Sequence, residues 1–177
     1  MNAYLFESER LGFRDWITED LDLMATLNAD PEVMKYFPST QSKKKTLAFI
    51  ERMMELYRKR GHCYFAVETK KDKKIIGFIG LGRQTFESDF TPCVDIGWRL
   101  AKEFWGKGYA TEGAKRCLEY GFQELGFSEI FSIASKANTK SINVMKKIGM
   151  KLDSEFIHPV LIDYPHLKDC VCYRLKS

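Results

Sequence analysis

Residues 95–112, DIGWRLAKEFWGKGYATE, constrain this chain more than any other stretch. Val94, Ile96, Trp98 and Leu100 alternate with their neighbours at the two-residue period of a strand. Gly106 and Gly108 follow, one residue apart. Ala110, Ala114, Cys117, Leu118 and Gly121 then recur at helical spacing. A strand that passes through a glycine-bearing turn into a helix aims several backbone N–H groups, and the positive end of the helix dipole, at one point. That point suits a phosphate. A plain connecting turn is the simpler alternative, because glycine marks many such turns.

The remainder of the chain supplies the setting. Residues 10–15 read as a short strand, and Thr18 is expected to cap a helix carrying Leu21, Met24 and Leu27. Pro31 is expected to open a short helix running to Tyr36. Leu47, Ile50, Met54 and Tyr57 mark a long helix from about Ser42 to Arg60, closed by Gly61, with Met53 and Met54 as packing residues. Three strands separated by short turns follow (around Cys63, Phe65 and Val67; over residues 75–81; over residues 93–100), and short turns argue for an antiparallel meander. A helix over residues 109–124 leads to a strand over residues 130–135, a strand–helix–strand unit that is normally parallel and right-handed. Asn138 caps a last helix carrying Ile142, Met145 and Ile148 and closed by Gly149. One strand near Met150 and another over residues 168–175 end the chain, with a loop containing His158 and His166 between them.

At 177 residues the chain is expected to form a single domain, residues 1–177, able to bury a core without disulfides or metal. The net charge of +4 is mild and dispersed, so a nucleic-acid surface is not expected. The lysines of residues 43–45 and 70–74 read as a helix start and a turn in solvent. The odd count of 5 cysteines, irregularly spaced, reads as buried apolar thiols in a reducing compartment. An apolar span of about 20 residues is lacking, and MNAYLFESER has neither the basic start nor the apolar core of a leader. A cytoplasmic location is therefore expected.

Familiar phosphate loops do not match. A Walker A loop needs Ser or Thr after its lysine, a dinucleotide loop needs a third glycine where Thr111 stands, and a kinase loop lies between two strands. The stretch instead resembles the cofactor loop of the Gcn5-related N-acetyltransferases (GNAT), Arg/Gln-x-x-Gly-x-Gly/Ala, matching at Gly108 and Ala110 and departing at Trp105. FWGKGYATEG and NTKSINVMKKIGM are similar to two signatures of the branch containing the ribosomal-protein-alanine and spermidine acetyltransferases. The resemblance runs from about Glu9 to Leu175.

This resemblance implies an α/β (α+β) fold with a mixed, mostly antiparallel sheet. About six or seven strands, parted between strands four and five, would be flanked by about four helices. It implies acetyl-CoA as co-substrate, no metal, and a primary amine as acceptor, either a small amine or a protein N-terminus. Backbone N–H groups of Gly106, Lys107, Gly108, Tyr109 and Ala110 would hold the diphosphate, with Trp105 and Thr111 beside them. Main-chain groups of Trp98, Arg99 and Leu100 would pair with the pantetheine arm as an added strand. Asp95 is the expected base, with His158 and His166 as rivals and a structural carboxylate as the alternative. Met145 stands where many members have a proton-donating Tyr. Ser141 is the donor this branch suggests, and a helix-start hydroxyl is its simpler role. Asn138 and Asn143 would hold cofactor or strand groups. A polycation acceptor would call for an acidic cleft, for which Glu32, Glu51, Glu55, Glu87 and Asp89 are available. A CoA-binding regulator without turnover, on the same fold, is the competing function. A homodimer is possible by analogy alone.

Overall fold

The computed structural model describes residues 4–177. The expectation that the N-terminus carries no leader rests partly on residues 1–3, which lie outside the described residues. One sheet of eight strands organises the chain: β1 (Phe6–Glu7), β2 (Leu11–Arg14), β3 (Tyr64–Thr69), β4 (Ile75–Gln84), β5 (Cys93–Leu100), β6 (Glu129–Ser135), β7 (Lys151–Ile157) and β8 (Asp169–Lys176). Their spatial order is β1-β2-β3-β4-β5-β6-β8-β7. Every neighbouring pair is antiparallel except β5 with β6. The two-residue β1 is too short to leave a periodic trace in the sequence. It moves the count by one, so the parted strands four and five of the resemblance are β5 and β6 here.

Four helices cover the faces: α1 (Leu21–Ala29), α2 (Lys43–Arg60), α3 (Tyr109–Glu119) and α4 (Thr139–Lys147). Phe78 and Ile79 are adjacent on β4 and so point to opposite faces. Phe49 of α2 lies 5.4 Å from Phe78, whereas Gly113 of α3 sits against Ile79. Helices α2 and α3 therefore sandwich the sheet. Helix α2 is set by its ends: the Ser42 side chain accepts from Lys45 N–H, and Gly61 closes the helix at φ 72°. Helix α3 widens into a π turn over Tyr120–Glu124, within the span the sequence assigns to one helix. The core is continuous through both layers, and each fully buried Leu11, Phe13, Phe65 or Ile79 contributes about 1.5–3 kcal/mol. No helix among the described residues is long and apolar enough to cross a membrane.

Two local expectations are corrected. Thr18 does not cap α1: it opens a 3-10 turn (Thr18–Asp20), and the Asp20 carboxylate accepts from Ile17 N–H at 3.0 Å. Pro31 starts turns rather than a helix, held by Met34 N–H to Asp30 O and Phe37 N–H to Met34 O. Met53 and Met54 both pack as expected, Met53 within the core and Met54 partly buried against it. The Thr18 difference follows from distant partners that local periodicity does not record. The clearest such partner is Arg14. Its guanidinium holds Asp20 with two 2.8 Å hydrogen bonds and Glu68 with one of 3.0 Å, in a layer where Arg14 and Asp20 are both buried.

Candidate active site

Antiparallel strands that exchange all their hydrogen bonds leave no room for a guest, and β4 and β5 are paired along their length from Gly77–Leu100 to Gln84–Cys93. Strands β5 and β6 behave differently. They pair at one position, Asp95 with Phe131. Ser132 Oγ donates to Ile96 O at 3.0 Å beside that pair. On its other edge β6 pairs with β8 along its whole length, from Glu129–Lys176 to Ser135–Cys170. The edge of β5 over residues 97–100 is left open, and it carries Trp98, Arg99 and Leu100.

The gap leads to the glycine turn. Gly106 and Gly108 adopt φ values of 72° and 81°, a region that costs a residue with a Cβ about 1–2 kcal/mol. A Cβ at Gly106 would meet nothing, so the requirement there is conformational and not one of space. The first backbone bond of α3 runs from Glu112 N–H to Gly108 O. The amides of Tyr109, Ala110 and Thr111 thus point out of the helix start without an intrahelical acceptor. Trp105, in place of the expected Arg or Gln, donates its indole N–H to Leu100 O at 2.8 Å and so ties the turn to the end of β5. The Lys107 ammonium lies over the Phe104 ring, 5.6 Å from its centroid. Lys140, at the start of α4, lies 4.6 Å over the Trp105 ring, which places α4 beside the turn.

Sequence reasoning missed what braces this turn. Arg10, from the β1–β2 hairpin, donates to Lys107 O at 3.0 Å and lies over the Tyr109 ring at 4.5 Å. Its Nε and its backbone N–H both donate to Glu112, at 2.6 and 2.7 Å, and Ser8 Oγ adds a 2.6 Å bond. Burial would raise the Glu112 carboxyl, but these bonds from Ser8 and Arg10 outweigh it and hold the group below its usual range. The signal in the sequence was Glu112, the acid in the first turn. Its partner stands 102 residues away.

Asp95 lies at the fork. It is buried, at 6% exposure, and accepts from Tyr64 Oη at 2.8 Å. Gln84 donates to the same Tyr64 oxygen at 3.2 Å. Tyr64 reaches Asp95 by crossing β4 over glycines. A Cβ at Gly82 would stand 2.5 Å from the phenol oxygen, and one at Gly97 would stand 3.1 Å from the ring. Burial pushes the Asp95 carboxyl up, and hydrogen bonds from Gln84 and Tyr64 offset part of that rise. Burial also raises Tyr64 well above its ordinary value, so the phenol stays protonated as a donor. An aromatic residue on β3 gave no catalytic signal in the sequence, and Tyr64 was missed for that reason.

The other expected residues divide. Asn138 caps α4 by accepting from Ser141 N–H at 3.1 Å. The Ser141 hydroxyl makes no hydrogen bond among the described residues. Asn143 lies on the exposed face of α4 with Lys146 and Lys147. His158 packs on Phe86 with 4.3 Å between ring centroids, accepts from Val160 N–H, and is held low by burial; His166 is exposed. Among the described residues no three His, Cys, Asp or Glu side chains gather as a metal-ligating group.

Comparison with known proteins agrees with this geometry. Residues 10–151 match the family model described as an acetyltransferase (GNAT) domain. The chain belongs to the GNAT acetyltransferase family. As a member it is an acyltransferase. It is 33% identical over 135 residues to the uncharacterized protein YkkB of Bacillus subtilis, covering 75% of this chain and 77% of YkkB. It is 27% identical over 150 residues to spermidine N(1)-acetyltransferase of Escherichia coli, covering 82% and 75% of the two chains. The crystal structure of a GNAT-family acetyltransferase from Bacillus anthracis superposes on the acetyltransferase with a TM-score of 0.79 at 28% identity, covering 96% of each chain.

Proposed function

We propose that this chain, as one acetyltransferase domain over residues 1–177, moves an acetyl group from acetyl-CoA to a primary amine by direct attack. The observation that carries the reading is the single β5–β6 pair at Asp95–Phe131, with the gap beyond it opening toward left-handed Gly106 and Gly108. Acetyl-CoA supplies an activated acyl group on a sulfur that leaves readily. The amides of residues 106–111 hold its diphosphate. The open edge of β5 at Trp98, Arg99 and Leu100 takes the pantetheine arm as a strand would be taken. Asp95 accepts the proton that the amine loses as its nitrogen forms the new C–N bond. Ser141 gives a proton to the sulfur as the C–S bond breaks, and solvent restores the hydroxyl. Tyr64 and Gln84 position the Asp95 carboxylate.

Calorimetry with acetyl-CoA, paired with a free-thiol assay on a panel of amines, tests this reading. Saturable heat and amine-dependent thiol release are expected. Absence of heat would overturn the reading, and heat without thiol release from any amine would mark a binder that does not turn over. Gly108→Ala carries a further expectation. Adding a Cβ at φ 81° costs about 1–2 kcal/mol and tilts the amides that follow, so acetyl-CoA affinity should fall about tenfold or more, with a melting temperature lower by about 2–8 °C. An unaltered Kd would remove the turn from the site.

A further inference from the structure

Arg99 shares a face of β5 with Asp95 and Gly97, because side chains alternate along a strand. Its guanidinium lies between two aromatic rings, 4.1 Å from the Phe37 centroid and 5.2 Å from that of Phe78. Nη1 donates to Asn28 Oδ1 at 2.8 Å, and fully buried Asn28 is itself fixed by a 3.1 Å bond from its Nδ2 to Thr46 Oγ1. Nε is buried without an acceptor. Among the described residues no carboxylate comes within ion-pairing reach of Arg99, whereas Arg14 of the same sheet holds two. Burial lowers Arg99 to about 10, the direction expected of a cation whose hydration is only partly replaced. Aromatic faces offset part of that loss, and an anion would offset more.

Its position gives this vacancy a purpose. Arg99 stands four residues beyond the last β5–β6 pair, where the strands part, and Phe37 comes from the loop joining α1 to α2. Phe78 stacks on Tyr64 at 5.2 Å and Tyr64 bonds Asp95, so one unbroken layer joins the guanidinium to the carboxylate. At about 3.3 Å per residue the two Cα atoms are about 13 Å apart along the strand. Carboxylates suited to a polycation gather elsewhere. Glu87 and Asp89 line a cavity of about 510 Å³ with Glu129 and Asp153, which reaches Phe131 of the β5–β6 pair but not the residues beyond it that carry Arg99. Glu32 lies 4.0 Å from Lys102, and Glu55 is paired with Lys59 at 2.6 Å.

We propose that Arg99 binds an anionic group carried by the acceptor, so that the acceptor is an amine bearing a carboxylate or a phosphate and not a polyamine. The word acceptor rests on the acetyl-transfer reading; the anion site does not. Arg99 is a specificity residue, with Asn28 holding it in place.

The test follows the Arg99 Nε–H resonance in protein labelled with 15N-arginine, assigned by its loss in R99M. N-acetylglycine (carboxylate), inorganic phosphate, N-acetylglycinamide (neutral) and spermidine (cationic) are titrated into the protein without acetyl-CoA. A saturable shift with one or both anions, and none with the amide or spermidine, is expected; the responding anion identifies the carboxylate or phosphate source. In turnover, R99M should lower kcat/KM for amines carrying that anion at least tenfold relative to neutral amines, with R99K intermediate because it keeps the charge without the planar fork. No response to either anion, or equal discrimination by wild type and both variants, overturns the proposal. Failure of acetyl-CoA to bind would sink the acetyl-transfer reading alone, since the titration involves no turnover.

Discussion

Asp95→Asn should lower kcat about 10²–10⁴-fold while leaving acetyl-CoA affinity unchanged, the range seen when a positioned general base is lost. The amide is nearly isosteric and still accepts from Tyr64, so the pocket should keep its shape. The pH profile is the sharper readout. Burial holds the Asp95 carboxyl above the ordinary carboxylate range, so wild-type kcat/KM should rise with pH as that raised group loses its proton. The limb should vanish in the variant. Tyr64→Phe should move it to higher pH, because a donor to the charged form is removed. Stability changes in the opposite sense. Below the ordinary carboxylate pKa both folded and unfolded chains bind the proton. Between that value and the raised folded value the folded state binds more, so stability falls as pH rises through the window. Asp95→Asn removes this slope and should be at least as stable as wild type at neutral pH. A large loss of activity with preserved melting temperature would place Asp95 in the chemistry. Unchanged kcat across the pH range would make it a structural carboxylate.

Asp20→Ala is expected to produce the largest loss of stability, about 3–5 kcal/mol by urea unfolding, because it strands one side of a buried ion pair. Arg14 would keep Glu68 but lose both of its 2.8 Å bonds to Asp20. The Ile17 N–H that closes the turn into α1 would lose its acceptor as well. For a chain of this size the loss corresponds to a fall in melting temperature of about 6–20 °C. Replacing the whole cluster (Arg14→Met, Asp20→Leu and Glu68→Gln, so that no buried carboxylate is stranded) should recover part of it, since replacement of a complete buried ion cluster is often neutral, while the Ile17 N–H stays without its acceptor. A single-mutant cost below 1 kcal/mol would show that water reaches the pair.

Much of the candidate site is local, and local features were legible. The strand ending at Leu100, the turn through Gly106 and Gly108, the start of α3 and the Asn138 cap are each specified by residues close to them in sequence. The boundaries of α2 were legible for the same reason, since Ser42 and Gly61 act on adjacent backbone. Residues that act across the sheet were not legible. Tyr64 reaches Asp95 only because the β3–β4 and β4–β5 registers set glycines beneath the ring. Arg10 meets Glu112 only because the β1–β2 hairpin ends beside α3. Thr18 had the composition of a cap, yet the buried claim of Arg14 on Asp20 placed the closing bond elsewhere.

By itself, the chain's order of residues determined where strands turn into helices, where the left-handed turn falls, and which family the motifs resemble. Those properties depend on backbone propensity and on hydrogen bonds between near neighbours. Tertiary structure alone decided that β5 and β6 meet once and part, that a phenol donates to a buried carboxylate, and that one guanidinium lies among aromatic rings with no counter-charge among the described residues. These depend on register between strands far apart in sequence, where a shift of one residue would turn every side chain to the opposite face.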